Sequence, residues 1–223
     1  MKKLKLFSVL FLLFVIITSC SKSDTAATPS LSTGDYWPTA VNNIWNYSDG
    51  TTSTPAKIIS TNGGYYLFDN FVGNTSGGTA ANSPTSIKKD NGDYYVKYGT
   101  IQFSGTFAGT MSGFEMIILK DYLAVGGTWS TTYSQTLNLN GIPPTTTTTT
   151  DTGTIMETGI SLTIGGVTYT NVIHVKHNLV SSGSQSVPEF HYWFSKNVGL
   201  IRYNDNNTSS QIHTTSLINY TLY

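Results

Sequence analysis

One cysteine, Cys20, occurs in 223 residues, so no disulfide can staple the chain and its fold must rest on burial and backbone hydrogen bonding. Charge is also scarce. Asp, Glu, Lys and Arg make up 11% of residues, and twelve basic side chains balance twelve acidic ones, which excludes the basic footprint of a nucleic-acid-binding protein. The one long apolar run, Leu6 to Ile17, contains a single polar residue, Ser8. As a helix it reaches about 18 Å, short of the ~30 Å hydrocarbon core that a stable transmembrane helix crosses. Motifs of several chemistries are missing too: there is no HExxH pair, no glycine-rich phosphate loop and no Gly-x-Ser-x-Gly elbow.

What is present begins with Lys2, Lys3 and Lys5 ahead of that apolar run, the layout of a secretory signal over residues 1–19. Ile17-Thr18-Ser19-Cys20 resembles the lipobox of bacterial lipoproteins, an aliphatic residue and two small ones before the acylated cysteine. The resemblance implies a diacylglycerol on the Cys20 thiol, cleavage before Cys20, and an acyl chain such as palmitate on the new amino group. Several chains together hold a protein on a membrane far better than one. The expected location is the bacterial cell envelope, by a lipid anchor in the outer membrane, with the periplasmic and surface faces both open. A chain that starts at Cys20 keeps nine basic and twelve acidic residues, a formal charge of −3. Residues 20–34 are small and polar without periodicity, which reads as the lipidated cysteine followed by a flexible tether. Within it, Asp24-Thr25-Ala26 resembles the Bacteroidota O-glycosylation sequon, centred on Thr25.

Residues 35–223 read as one β-rich domain of short alternating runs and tight turns. Gly165-Gly166 divides two runs of β-formers as a hairpin turn does. Beyond it Val167, Tyr169, Ile173, Val175 and Leu179 fall on odd positions, opposite Thr168, Thr170, His174, Lys176 and Asn178, so the odd set is expected inside, with His177 among it. A buried His177 then needs a hydrogen-bond partner. Runs 65–71, 93–99 and 210–223 each follow a turn signal. Phe114 to Val125 fits a helical face, yet its two isoleucines and the following Gly126-Gly127 favour a strand. The threonine run Thr145 to Thr150 is expected as an exposed strand suited to a sheet edge. The fold class is all-β: a twisted antiparallel sheet curled into a half-barrel or barrel, with little or no helix after the signal.

Three segments, DYWPTAVNNIWNY (35–47), LKDYLAVGGTW (119–129) and HYWFSKNVGLIRYN (191–204), resemble those of uncharacterised Bacteroidota envelope lipoproteins. That family brings no catalytic residues. Trp45 and Trp129 share the local pattern Ala-Val-x-x-x-Trp and are expected as core plugs, extended by Trp37, Tyr47, Trp193 and Phe194. The alternative is an aromatic surface for sugar rings or a lipid chain.

No catalytic, cofactor or metal residues are assigned from sequence. His174 and His177 are three apart on a strand and face opposite ways, and His191 and His213 lack an acidic or cysteine partner at ligand spacing. Asp90 and Asp93 flank a turn, and Glu115, Glu157 and Glu189 stand as isolated candidate acids. Three roles follow: a non-enzymatic module binding glycan, lipid or an envelope protein; a structural or assembly component; and a hydrolase, which needs two carboxylates within about 5–10 Å in a cleft.

Overall fold

The computed structural model describes residues 32–71, 83–206 and 213–223. The signal, Cys20, Thr25 and most of the tether lie outside the described residues. The described residues form fourteen strands: β1 (Ile44–Ser48), β2 (Ser53–Asn62), β3 (Tyr65–Phe68), β4 (Thr85–Asp90), β5 (Asp93–Tyr98), β6 (Ile101–Phe103), β7 (Gly109–Met111), β8 (Phe114–Lys120), β9 (Thr128–Leu139), β10 (Ile142–Ile164), β11 (Val167–Ser181), β12 (Glu189–Ser195), β13 (Gly199–Asp205) and β14 (His213–Thr221). A 3-10 turn over Gly105–Phe107 is the one helical element among the described residues.

All fourteen strands join a single antiparallel sheet in the order β6-β7-β9-β10-β11-β12-β13-β14-β1-β2-β3-β4-β5-β8. The ladder does not close, since β6 and β8 are its edges. Its curl nevertheless brings β8 back onto the inner face of β9 to β11. The indole Nε1 of Trp129 donates to the Ile117 carbonyl at 2.8 Å, the Ile117 amide donates to Thr131 Oγ1 at 3.4 Å, and His177 Nε2 meets the Ile118 carbonyl at 2.9 Å. Side chains, rather than a backbone ladder, fasten this edge.

The two tryptophan corners are core, as expected. Trp45 is 0% exposed and donates from Nε1 to the Val198 carbonyl at 2.6 Å, while Trp37 packs against Phe68, Phe71 and Phe194. Tyr47 is buried and its hydroxyl donates to the Leu200 carbonyl. Trp193 departs from the expected plug. On β12, Phe190, Tyr192 and Phe194 point inward, so the period of two sends His191 and Trp193 outward.

The strand after Gly165-Gly166 has the expected register: Tyr169, Ile173, Val175 and His177 are buried. Both turn glycines have positive φ, 56° and 84°, as such a hairpin requires. Val167, next to the turn, is exposed rather than inside. Phe114–Lys120 is a strand. The threonine run lies within β10, paired with β9 throughout and with β11 from Thr149, so only its first part is an edge. Hydroxyl pairs Thr132–Thr150, Ser134–Thr148 and Thr136–Thr146 line that ribbon.

The residues that enter the fold are tied down. Ser32 Oγ donates to the buried Asp121 carboxylate, the Thr33 hydroxyl to the Asp121 carbonyl, Tyr94 to the Gly34 carbonyl and Lys196 to the Thr33 carbonyl.

Candidate functional site

The curl lines a half-open cavity of about 230 Å³. One wall is an aromatic stack that crosses the unpaired seam: Tyr98 of β5 lies on Phe114 of β8 at 4.7 Å, and Phe114 lies on Tyr133 of β9 at 4.2 Å and 15°. The facing wall comes from Tyr192 and Phe190 of β12 and Tyr203 of β13, with Phe190 and Tyr203 nearly parallel at 6.1 Å. Ile101, Met111, Met116 and Leu179 fill the gaps between, and Ser83 and Gln135 add polar atoms. None of the lining residues among those described is charged. Alternation explains the set: Tyr94, Val96 and Tyr98 share the inner face of β5, as Phe190, Tyr192 and Phe194 share that of β12.

Burial pushes the Tyr98, Tyr192 and Tyr203 hydroxyls well above the ordinary phenol range, with further contributions from neighbouring phenols and from Asp151 or Asp205. Burial, then Asp151, pushes Tyr133 up to about 12. These four hydroxyls therefore remain protonated and can both donate and accept.

Asp151 and His177, both fully buried, support this wall from behind. His177 Nδ1 is 2.9 Å from each Asp151 oxygen, and the ring meets Trp129 and Tyr192 edge-on at 5.6 and 5.4 Å. A carbonyl only accepts, so Nε2 must donate to Ile118, and one proton is held between Nδ1 and the carboxylate. Both ring nitrogens are committed. The expected partner of His177 is thus Asp151, and the pair positions β8, β10 and β11 rather than offering a free base.

The outer face corrects the sequence reading of the other histidines. His191 has partners, since it meets His174 across β11 and β12: His174 Nε2 and His191 Nδ1 are 2.7 Å apart. Glu157 Oε2 lies 2.9 Å from His174 Nδ1, and Glu189 Oε1 lies 2.9 Å from His191 Nε2. Glu157 and Glu189 are therefore not isolated, nor is Glu115, which accepts from the Tyr65 hydroxyl at 2.5 Å. A bulge creates the first contact. Ile155 pairs with Val175 but the next pair is Glu157 with His174, so Met156 is the extra residue and a carboxylate takes its place. Asp93, one of the turn pair, accepts from Lys120 and Tyr122.

No family model matches the chain, and no curated protein matches it. Among solved structures, a candidate lipoprotein from Parabacteroides distasonis ATCC 8503 is similar with a TM-score of 0.49 and 12% identity, over 84% of this chain and 99% of that one. A likeness at this level carries no functional argument.

Proposed function

We propose that this protein is a lipid-anchored envelope lipoprotein that binds a small neutral amphipathic ligand, an acyl chain bearing hydroxyl or carbonyl groups, in the aromatic cavity. The observation that carries the reading is an uncharged cavity in which protonated tyrosine hydroxyls alternate with Met, Ile and Leu. Such a composition suits an apolar body with a few polar atoms and penalises a charged one, which would lose its hydration without a counter-ion. An acyl chain fits better than a sugar ring because the Tyr98, Phe114 and Tyr133 faces cover one another and leave mainly edges and aliphatic side chains. Among the described residues no carboxylate lines the cavity, so a binding role accounts for it better than hydrolysis by paired acids. The anchor is read from the lipobox at Cys20.

Calorimetry on the lipidated protein in nanodiscs, with monooctanoylglycerol and N-acetylglucosamine as probes, tests the cavity. The glyceride is expected to bind saturably, and Met116→Trp, which fills the space, to weaken it at least tenfold. Binding of the sugar in its place, or glyceride binding indifferent to Met116→Trp, would overturn the reading.

A further inference from the structure

The four-residue chain on the outer face, Glu157–His174–His191–Glu189, has a chemical consequence independent of the cavity. Each carboxylate accepts only, so His174 Nδ1 and His191 Nε2 both carry protons. A neutral imidazole has one N–H. The two remaining nitrogens, His174 Nε2 and His191 Nδ1, face each other at 2.7 Å, a separation bridged by a shared proton when one ring is protonated and by a metal cation when both are neutral.

We propose that His174 Nε2 and His191 Nδ1 form a binding site for a divalent cation of the imidazole-preferring class, with Zn²⁺ as its representative. Each imidazole has its far nitrogen on a carboxylate, the outer-shell pattern that fixes tautomer and ring orientation in histidine metal sites. Zn–N bonds of about 2.0–2.1 Å at a tetrahedral angle put the two nitrogens about 3.3 Å apart, so the pair opens by roughly 0.6 Å to admit the ion. Trp193 steadies the rings, stacking on His174 at 4.2 Å and 11° and on His191 at 5.8 Å.

Among the described residues no three His, Cys, Asp or Glu side chains converge as ligands. Solvent completes the shell at this partly open face. Glu157 and Glu189 bring two negative charges. Lys176, 3.5 Å from Glu189, and Arg202, over the Trp193 ring, oppose the ion and limit its affinity.

The test is calorimetric titration of Zn²⁺ into the full lipidated chain in nanodiscs, purified without a histidine tag and corrected for empty discs. One equivalent is expected to bind, His191→Gln to lower affinity at least a hundredfold, and Glu157→Gln or Glu189→Gln to lower it about 10–100-fold while leaving the ligating nitrogens in place. His213→Gln, at an exposed position of β14, serves as the control and should bind as wild type. Thermal melts in chelator show whether each variant is folded. Should His191→Gln fail to fold, the two glutamate variants decide. Absence of saturable binding to the wild type, or affinity unchanged in folded His191→Gln or in both glutamate variants, overturns the site.

Discussion

Asp151 and His177 face each other in the interior with neither side chain exposed, and His177 reaches on to the carbonyl of Ile118 in the edge strand. One buried pair thus connects β10, β11 and β8. Removing a single partner strands the other in an apolar surrounding, which costs about 3–5 kcal/mol in comparable cases, whereas replacing both by apolar residues is far milder. His177→Leu should therefore be strongly destabilised in urea melts, and the double variant Asp151→Leu/His177→Leu should recover part of the loss. A double variant less stable than His177→Leu alone would show that the pair is not a self-compensating unit.

Val175 and His174 occupy opposite faces of β11, and the expected contrast between them survives in altered form. Val175 is 0% exposed, so Val175→Glu buries an unpaired charge and should prevent folding. From sequence His174→Glu is expected to be nearly silent. The structure revises that expectation, because the new carboxylate would sit beside Glu157 and forfeit the Trp193 stack. A loss of about 1–2 kcal/mol is expected in thermal melts. A folded Val175→Glu would reverse the assignment of faces.

The tyrosines of the cavity predict an alkaline transition. Their hydroxyls are raised by burial, so above about pH 10 the unfolded chain releases protons that the folded one retains. The contribution is fully present below about pH 10 and declines as pH rises beyond it. Ultraviolet absorbance should show the exposed tyrosines ionising first and Tyr98, Tyr192 and Tyr203 only together with unfolding. Ionisation of every tyrosine near 10 in the folded protein would contradict the buried arrangement.

Gly153 lies under the Trp129 indole so closely that an added methyl group would overlap the ring. Gly153→Ala should cost roughly 1–3 kcal/mol by overpacking, and Trp129→Leu in the same chain should relieve part of it. Chemical denaturation of the two single variants and the double variant measures the coupling. Strictly additive losses would mean that the indole moves aside freely.

Lipid attachment has a direct check. Cys20→Ser should leave uncut precursor without lipid, read by metabolic labelling with a palmitate analogue. Equal labelling of variant and wild type would remove the anchor from the proposal.

The all-β class, the Gly165-Gly166 hairpin and the burial of His177 were legible because each rests on a local signal, a turn pair or a period of two. The outward face of Trp193 and the shared face of Glu189 and His191 follow from the same period, which the aromatic content of β12 obscured. By contrast, the Met156 bulge that delivers Glu157 to His174 depends on how β10 pairs with β11. Asp151 as partner of His177, and the Tyr98–Phe114–Tyr133 stack across the seam, likewise arise from long-range register and curl. No window of sequence contains both members of those contacts.

The attachment of Ser32, Thr33 and Gly34 at Asp121, Tyr94 and Lys196 sets a leash length. Ser32 lies twelve positions after Cys20, a span of roughly 40 Å when fully extended. Were Cys20 acylated as proposed, the Asp121 corner could stand no farther than that from the bilayer surface. Under that proposal a ligand or metal donor would be met within a shell of that depth plus the width of the folded body, so reach, rather than affinity alone, would select partners close to the membrane.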